Sequence, residues 1–261
     1  MTGKLTVSAD GRVTGPANIR YNEPFPCVNG AFETGAMMGV VMHTMAGNLP
    51  GTIGVFNDPA RQASAHFGIA QDGEIWQFGP IGKGWAAWHA VAANRAWYGI
   101  EHADDGNPRN PLTAAQITAS AQLVELLSRF AGFPLQVTDS PSVKGYGTHV
   151  MGGPAWNPDG HTCPGPGPRA GQRPKIIALA MSIRQGGTVT QPRQWITAGM
   201  SSLATLAGDQ KTTAAVILQL TAQHSPSPLP AELAVYLNGV FSGTVDPAKP
   251  VPRGLTLYLP G

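Results

Sequence analysis

Two turn-borne motifs carry the residue types that bind a soft metal. His161-Thr162-Cys163-Pro164-Gly165 places an imidazole and a thiol at a Pro-Gly turn, and Cys163 follows His149, in Gly147-Thr148-His149, by fourteen positions. A third candidate, His43, closes the apolar run Met37-Met38-Gly39-Val40-Val41-Met42. Two imidazoles and one thiolate make a three-ligand set with a fourth tetrahedral position open for water, the pattern of catalytic rather than structural zinc. Plainer readings exist for each residue. A lone histidine at the end of a buried strand is usually hydrogen-bonded and structural. Cys163 with a histidine partner would also suit a nucleophile. One disulfide, Cys27 to Cys163, is formally available; if Cys163 binds metal, Cys27 is left as a small buried hydrophobe.

The elements that must present these residues are legible in the periodicity. Residues 37–44 hold a continuous apolar run that ends at His43 and predict a strand buried on both faces. The stretch SAHFGIAQDGEIWQF, 64–78, alternates on either side of Asp72-Gly73 and predicts a hairpin. WYGIEHA, 97–103, predicts a short strand in which Glu101 and His102 point to opposite faces. Thr113 and Gln116 form a capping box for a helix with the stripe Ile117, Leu123, Val124 and Leu127, ended by Gly132. A second helix is expected from Pro174 to Gly186-Gly187, after a Pro-rich stretch, 164–174, that reads as structureless. Residues 1–36 read as a strand or two at an edge. Interspersed strands and helices over the first 185 residues predict an α/β domain, a mixed central sheet flanked by helices.

A chain of 261 residues has room for one sizeable domain and one small one. Charged residues are only 12%, while 33 glycines and 24 prolines imply many turns and long ordered loops. A net charge of +2 offers no electrostatic case for nucleic acid. No stretch approaches the length of a membrane span, so no membrane partner is expected. The start, MTGKLTVSADGRV, lacks an apolar signal-peptide core, so synthesis in a cytoplasm without a secretory signal is expected, with any target outside reached by other means. A monomer is expected. A linker is placed at 186–194, GGTVTQPRQ. Beyond it, 195–261 predicts a small β-α-α-β module: a strand at Trp195-Ile196-Thr197, helices in SSLATLAGDQ and TTAAVILQLTAQ, and a last strand in VPRGLTLYLPG.

Several motifs now line up in order over 37–185: VVMHTMAG around His43, SAHFGIAQDGEIWQF around His66, AAWHA around His89, YGIEHA around Glu101, GTHVMGG around His149 and HTCPG around Cys163. With these the chain resembles the zinc-dependent N-acetylmuramoyl-L-alanine amidases, the type shared by phage endolysins, bacterial recycling amidases and animal peptidoglycan recognition proteins. The resemblance implies that fold for the first domain, zinc as cofactor, and peptidoglycan, both glycan strand and stem peptide, as partner. It implies zinc ligation by His43, His149 and Cys163, and Glu101 as general base. His161 stands where many members have lysine, which implies an oxyanion-stabilising or proton-shuttling role. His66 and His89 match positions that line the substrate groove. Two departures are visible. Many bacterial members have Asp as third ligand where this chain has Cys163. The branch with Cys often lacks the acid and uses a Tyr just before the hairpin His; here that position is Ala65, which can do no proton chemistry, and the acid is present. The C-terminal module resembles a lysin motif (LysM), a binder of N-acetylglucosamine-containing glycans, with a middle segment longer than that family usually has.

The expected activity is hydrolysis of the amide between N-acetylmuramic acid and L-alanine. The expected setting is a phage endolysin, made in the host cytoplasm and acting on the wall after holin-dependent release. Its rivals are a recognition domain that holds peptidoglycan without cutting it, a cysteine hydrolase using Cys163, and a virion-associated lysin with the same chemistry.

Overall fold

The computed structural model describes residues 4–186 and, further on, the strands Leu233–Leu237, Val240–Val245 and Leu255–Tyr258. The chain divides into two units, Met1–Gly186 and Gly187–Gly261.

In the first unit the elements run β1 (Thr6–Val7), β2 (Val13–Thr14), β3 (Ile19–Tyr21), β4 (Gly30–Ala31), β5 (Gly39–Thr44), α1 (Leu49–Asn57), β6 (Phe67–Ile69), β7 (Ile75–Gln77), β8 (Ala86–Ala87), β9 (Trp97–His102), α2 (Ala114–Ala131), β10 (Gly145–Thr148) and α3 (Arg173–Arg184). Six strands form one sheet in the order β10-β5-β9-β6-β7-β3. The pairs β10/β5, β5/β9 and β9/β6 are parallel, β6/β7 is the antiparallel hairpin, and β3 lies parallel to β7 at the edge. The domain is therefore mixed α/β, as its alternating elements predict. Val40, Val41 and Met42 are fully buried, which is why the segment before His43 reads as an unbroken apolar run. In the hairpin, Gly73 has φ +88°, a left-handed turn position that glycine adopts without strain.

Helix α2 forms as its ends dictate. The Thr113 hydroxyl accepts from the Gln116 N–H, the Gln116 side chain accepts from the Thr113 N–H, and Gly132 closes the helix at φ 74°. Its buried stripe packs against the sheet and against α3, which begins at Arg173 with Pro174 in its first turn.

Three elements of the first unit, α1, β8 and β10, were not expected, and residues 1–36 hold four short strands rather than one or two, of which β3 forms the edge of the six-stranded sheet. Helix α1, LPGTIGVFN, contains Gly51 and Gly54, each costing about 1 kcal/mol relative to alanine in a helix. It forms because Asn48 caps the Gly51 N–H and because Leu49 and Phe56 bury against Cys27, Phe78 and Trp85. Strand β10, GYGT, reads as a turn from its glycines. They serve close approach instead: a Cβ on Gly39 would overlap the Gly145 carbonyl oxygen of the neighbouring strand, and Gly145 itself has φ +152°. The stretch 164–174 is not structureless either. Arg169 within it is fully buried, and its guanidinium donates to the carbonyls of Asn110, His102 and Ala103 and to the Thr44 hydroxyl. A single arginine thus ties the loop after Cys163 to the ends of β5 and β9.

In the second unit β11 (Leu233–Leu237), β12 (Val240–Val245) and β13 (Leu255–Tyr258) form an antiparallel sheet in the order β12-β11-β13. Strand β13 falls within the expected VPRGLTLYLPG strand. The β11–β12 pair lies in a stretch to which no element was assigned. The strand expected at Trp195, the two helices expected after it and the linker beyond Gly186 lie outside the described residues. Among the described residues no helix is long and apolar enough to cross a membrane.

Candidate active site and metal centre

The register of β5 against β9 builds the site. His43 pairs with Glu101 and Thr44 with His102, so His43 and Glu101 lie side by side on one face while His102 faces α2. On the other flank of β5, Thr148 pairs with Met42, so the next residue, His149, leaves β10 beside His43. Cys163 arrives from the following loop, its carbonyl accepting from the Val150 N–H at 3.3 Å. His43, His149 and Cys163 are all buried, and their donor atoms lie within 4.8 Å of one another.

These three side chains fit a small tetrahedral metal ion. His43 Nδ1 stands 3.5 Å from Cys163 Sγ; two donors of one tetrahedral centre with bonds of roughly 2.1 and 2.3 Å stand about 3.6 Å apart. His149 Nε2 is 2.8 Å from the Trp156 carbonyl oxygen, which can only accept, so the ring hydrogen sits on Nε2. Its buried Nδ1 has no hydrogen-bond partner. An orphaned imidazole lone pair facing a thiol and a second imidazole is what a ligand position requires.

Glu101 stands beside the cluster, Oε1 4.0 Å from His43 Nδ1, with only 15% of its side chain exposed and its buried Oε2 unpartnered. Burial, reinforced by the charge of Asp104, pushes its pKa up to about 8. Burial also holds His43 well below the usual imidazole range, with neighbouring His89 and His149 adding to the effect. It pushes the Cys163 thiol well up, and the Glu101 charge adds to this. Both a nucleophilic and a metal-binding cysteine must be thiolate, so either role at Cys163 needs positive charge brought to its side. Neither Cys163 nor Cys27 is in a disulfide, and Cys27 lies in the apolar cluster under α1.

The remaining candidates fall in two places. His161 is exposed at the rim, its ring 5.0 Å from that of His149, and its carbonyl accepts from Asn157 Nδ2. His66 and His89 lie beneath the cluster, 1% and 9% exposed. His66 Nδ1 accepts from the Gly99 N–H, and its ring packs edge-on against Trp85 and Tyr98. His89 has both ring nitrogens engaged, one by the Trp97 carbonyl and one by His43. His102 is fully buried on the opposite face, where it donates to the His43 carbonyl and accepts from the Ser120 hydroxyl. Sequence reasoning missed Arg169 and the carbonyls of Trp97 and Trp156. A backbone acceptor leaves no mark on residue type; Arg169 carried a faint signal, a cationic side chain in a Pro-Gly loop shortly after a candidate ligand.

The N-acetylmuramoyl-L-alanine amidase family matches residues 33–166, a span that includes every one of these histidines, Glu101 and Cys163. N-acetylmuramoyl-L-alanine amidase A of Achromobacter lyticus is 38% identical over 127 residues, covering 41% of this chain and 68% of that protein. Among solved structures, the Staphylococcus aureus hydrolase AmiA in complex with its ligand aligns with a TM-score of 0.48 at 16% identity, over 67% of this chain and 87% of that one. A selenomethionine derivative of AmpD aligns with a TM-score of 0.48 at 22% identity, over 67% of this chain and 99% of that one. The chain belongs to the N-acetylmuramoyl-L-alanine amidase family.

Proposed function

We propose that this protein is a zinc hydrolase of peptidoglycan that cleaves the amide between N-acetylmuramic acid and L-alanine. The observation that carries the reading is the convergence of His43, His149 and Cys163 beside the Glu101 carboxyl, whose buried Oε2 has no hydrogen-bond partner. An amide is a poor electrophile and water a poor nucleophile; zinc in this site would supply Lewis acidity toward both.

The chain's own residues supply the rest. Glu101 takes the proton of the attacking water and delivers it to the leaving amine of L-alanine. In the metal-free protein its pKa lies at about 8; a metal ion held by the neighbouring ligands would bring the positive charge that favours the carboxylate and readies it as a base near neutrality. His161, at the exposed rim beside His149, donates a hydrogen bond to the oxyanion, an effect often worth about 3 kcal/mol. Burial of the ligand cluster keeps these charges in a medium where they act strongly.

The wider setting we propose is a phage endolysin, released to the wall with holin help, whose second unit binds glycan as a LysM-like module. Support for it lies in the two-unit chain and in the sequence motifs of 195–261. Digestion of purified cell walls followed by mass analysis tests the bond. Lactyl-muramic glycan chains plus free peptides with L-alanine at the N-terminus are expected; intact muropeptides with broken glycan would sink the reading. Loss of activity on chelation, restored by zinc, is expected in the same assay.

A further inference from the structure

We propose that His89 is a positioning residue for the metal centre: through a two-histidine hydrogen-bond chain anchored on the Trp97 carbonyl, it fixes which nitrogen of His43 faces the metal. The inference rests on the ligand reading above and goes beyond it in assigning a role to a residue that touches neither metal nor substrate.

A carbonyl oxygen only accepts, so its neighbours' hydrogens can be placed in sequence. The Trp97 carbonyl oxygen lies 2.9 Å from His89 Nε2, which therefore carries hydrogen. A neutral imidazole protonated there has a bare Nδ1, and His89 Nδ1 lies 2.9 Å from His43 Nε2. His43 must then donate from Nε2, which leaves its Nδ1 lone pair free, 3.5 Å from Cys163 Sγ. The ring planes of His43 and His89 stand at 88°, as a directed N–H···N bond between packed rings allows.

The seat of His89 is itself built. The N–H groups of His89 and Ala90 both donate to Asn94 Oδ1, at 2.9 and 2.7 Å, which clamps the main chain at this residue. On the sheet beneath, Gly99 makes room for the ring: a Cβ there would stand 2.7 Å from His89 Cγ. Both ring nitrogens of His89 are engaged and the residue is 9% exposed, so its polar atoms are turned to His43 and the Trp97 carbonyl. His149 obtains the same service directly from the Trp156 carbonyl. For His43, His89 carries the reach of the Trp97 carbonyl across the gap. Outer-shell partners of this kind orient the ligand and raise its basicity, and their loss typically costs about 10- to 100-fold in metal affinity.

The test compares removal of the acceptor with its replacement. In His89→Leu the acceptor is gone; in His89→Asn the side-chain oxygen stands near the former Nδ1. Zinc affinity, measured by competition with a chelator, should fall about 10- to 100-fold in His89→Leu and recover most of that in His89→Asn. Metal-free protein gives an independent readout by NMR: a solvent-protected imidazole N–H of His43, present in the wild type and His89→Asn and absent in His89→Leu. If His89→Leu does not fold, His89→Ala removes the acceptor without adding bulk. Unchanged zinc affinity on removal overturns the proposal, as does an Asn variant no better than Leu, since packing alone would then explain the residue. A wild type that binds no zinc would refute the zinc reading instead; the N–H signal would then decide the hydrogen-bond chain, and its absence would overturn it.

Discussion

Glu101 and His102 are neighbours on one strand and sit in opposite worlds. Glu101 shares the ligand face with His43, keeps a buried oxygen without a partner, and has its pKa raised to about 8. His102 faces α2 with both nitrogens satisfied, one by the His43 carbonyl and one by Ser120. The difference teaches how to separate function from support in this fold. A buried polar group without a partner costs stability, which marks Glu101 Oε2 and His149 Nδ1, side by side with Cys163, as positions where something else is to be met, while His102, with every hydrogen bond made, supports the strand.

The largest effect should come from breaking the ligand face itself. Cys163→Ala or His149→Ala should abolish stoichiometric zinc binding and bring wall hydrolysis to background, read by metal analysis and amine release on the same sample. Glu101→Gln keeps the shape and removes the proposed base. It should lower kcat by about 10²- to 10⁴-fold while zinc still binds, and a variant retaining wild-type kcat would move the base elsewhere. Across the strand, His102→Leu orphans the Ser120 hydroxyl and strips a donor from the His43 carbonyl. It should cost about 1–3 kcal/mol in denaturant unfolding, with activity per folded molecule within tenfold of the wild type.

A pH series on metal-free protein sharpens the same contrast. His89 and His102 have pKa values lowered to about 4 from 6.5, so below pH 6.5 the unfolded chain binds more protons and stability rises with pH. Glu101, raised to about 8 from 4.5, acts oppositely: folded protein holds the proton that unfolded chain releases, and stability falls as pH rises toward 8. Stability should therefore peak near pH 6.5 and drop by about 1–2 kcal/mol toward pH 8. Glu101→Gln should flatten that alkaline limb, and a limb unchanged in the variant would assign it to another group. The smallest effect is expected at the rim: His161→Lys keeps a hydrogen-bond donor beside His149 and should hold activity within about tenfold, whereas His161→Ala, which removes the donor, should lose more, both read by amine release from walls.

Local chemistry is what the residues alone determined. The capping box of Thr113 and Gln116 and the stop at Gly132 bound α2 before any contact is known, because caps are satisfied within a few residues. Alternation put Glu101 and His102 on opposite faces, because a strand's side chains reverse at each step. Motif order brought His43, His149 and Cys163 together as candidates. Tertiary structure decided what local pattern could not express. Gly145 reads as a turn former and Gly39 as one more member of an apolar run, yet both are small so that β5 and β10 can touch, a requirement each places on a residue more than a hundred positions away. Leu49–Asn57 is helical against its glycines because burial outweighs propensity. The roles of Trp97 and Trp156 rest on their carbonyls, a group every residue has, so only folding could single them out. His89 shows the division within one side chain: its motif marked it as belonging to the site, and the 2.9 Å contacts on either side of its ring decided what it does there.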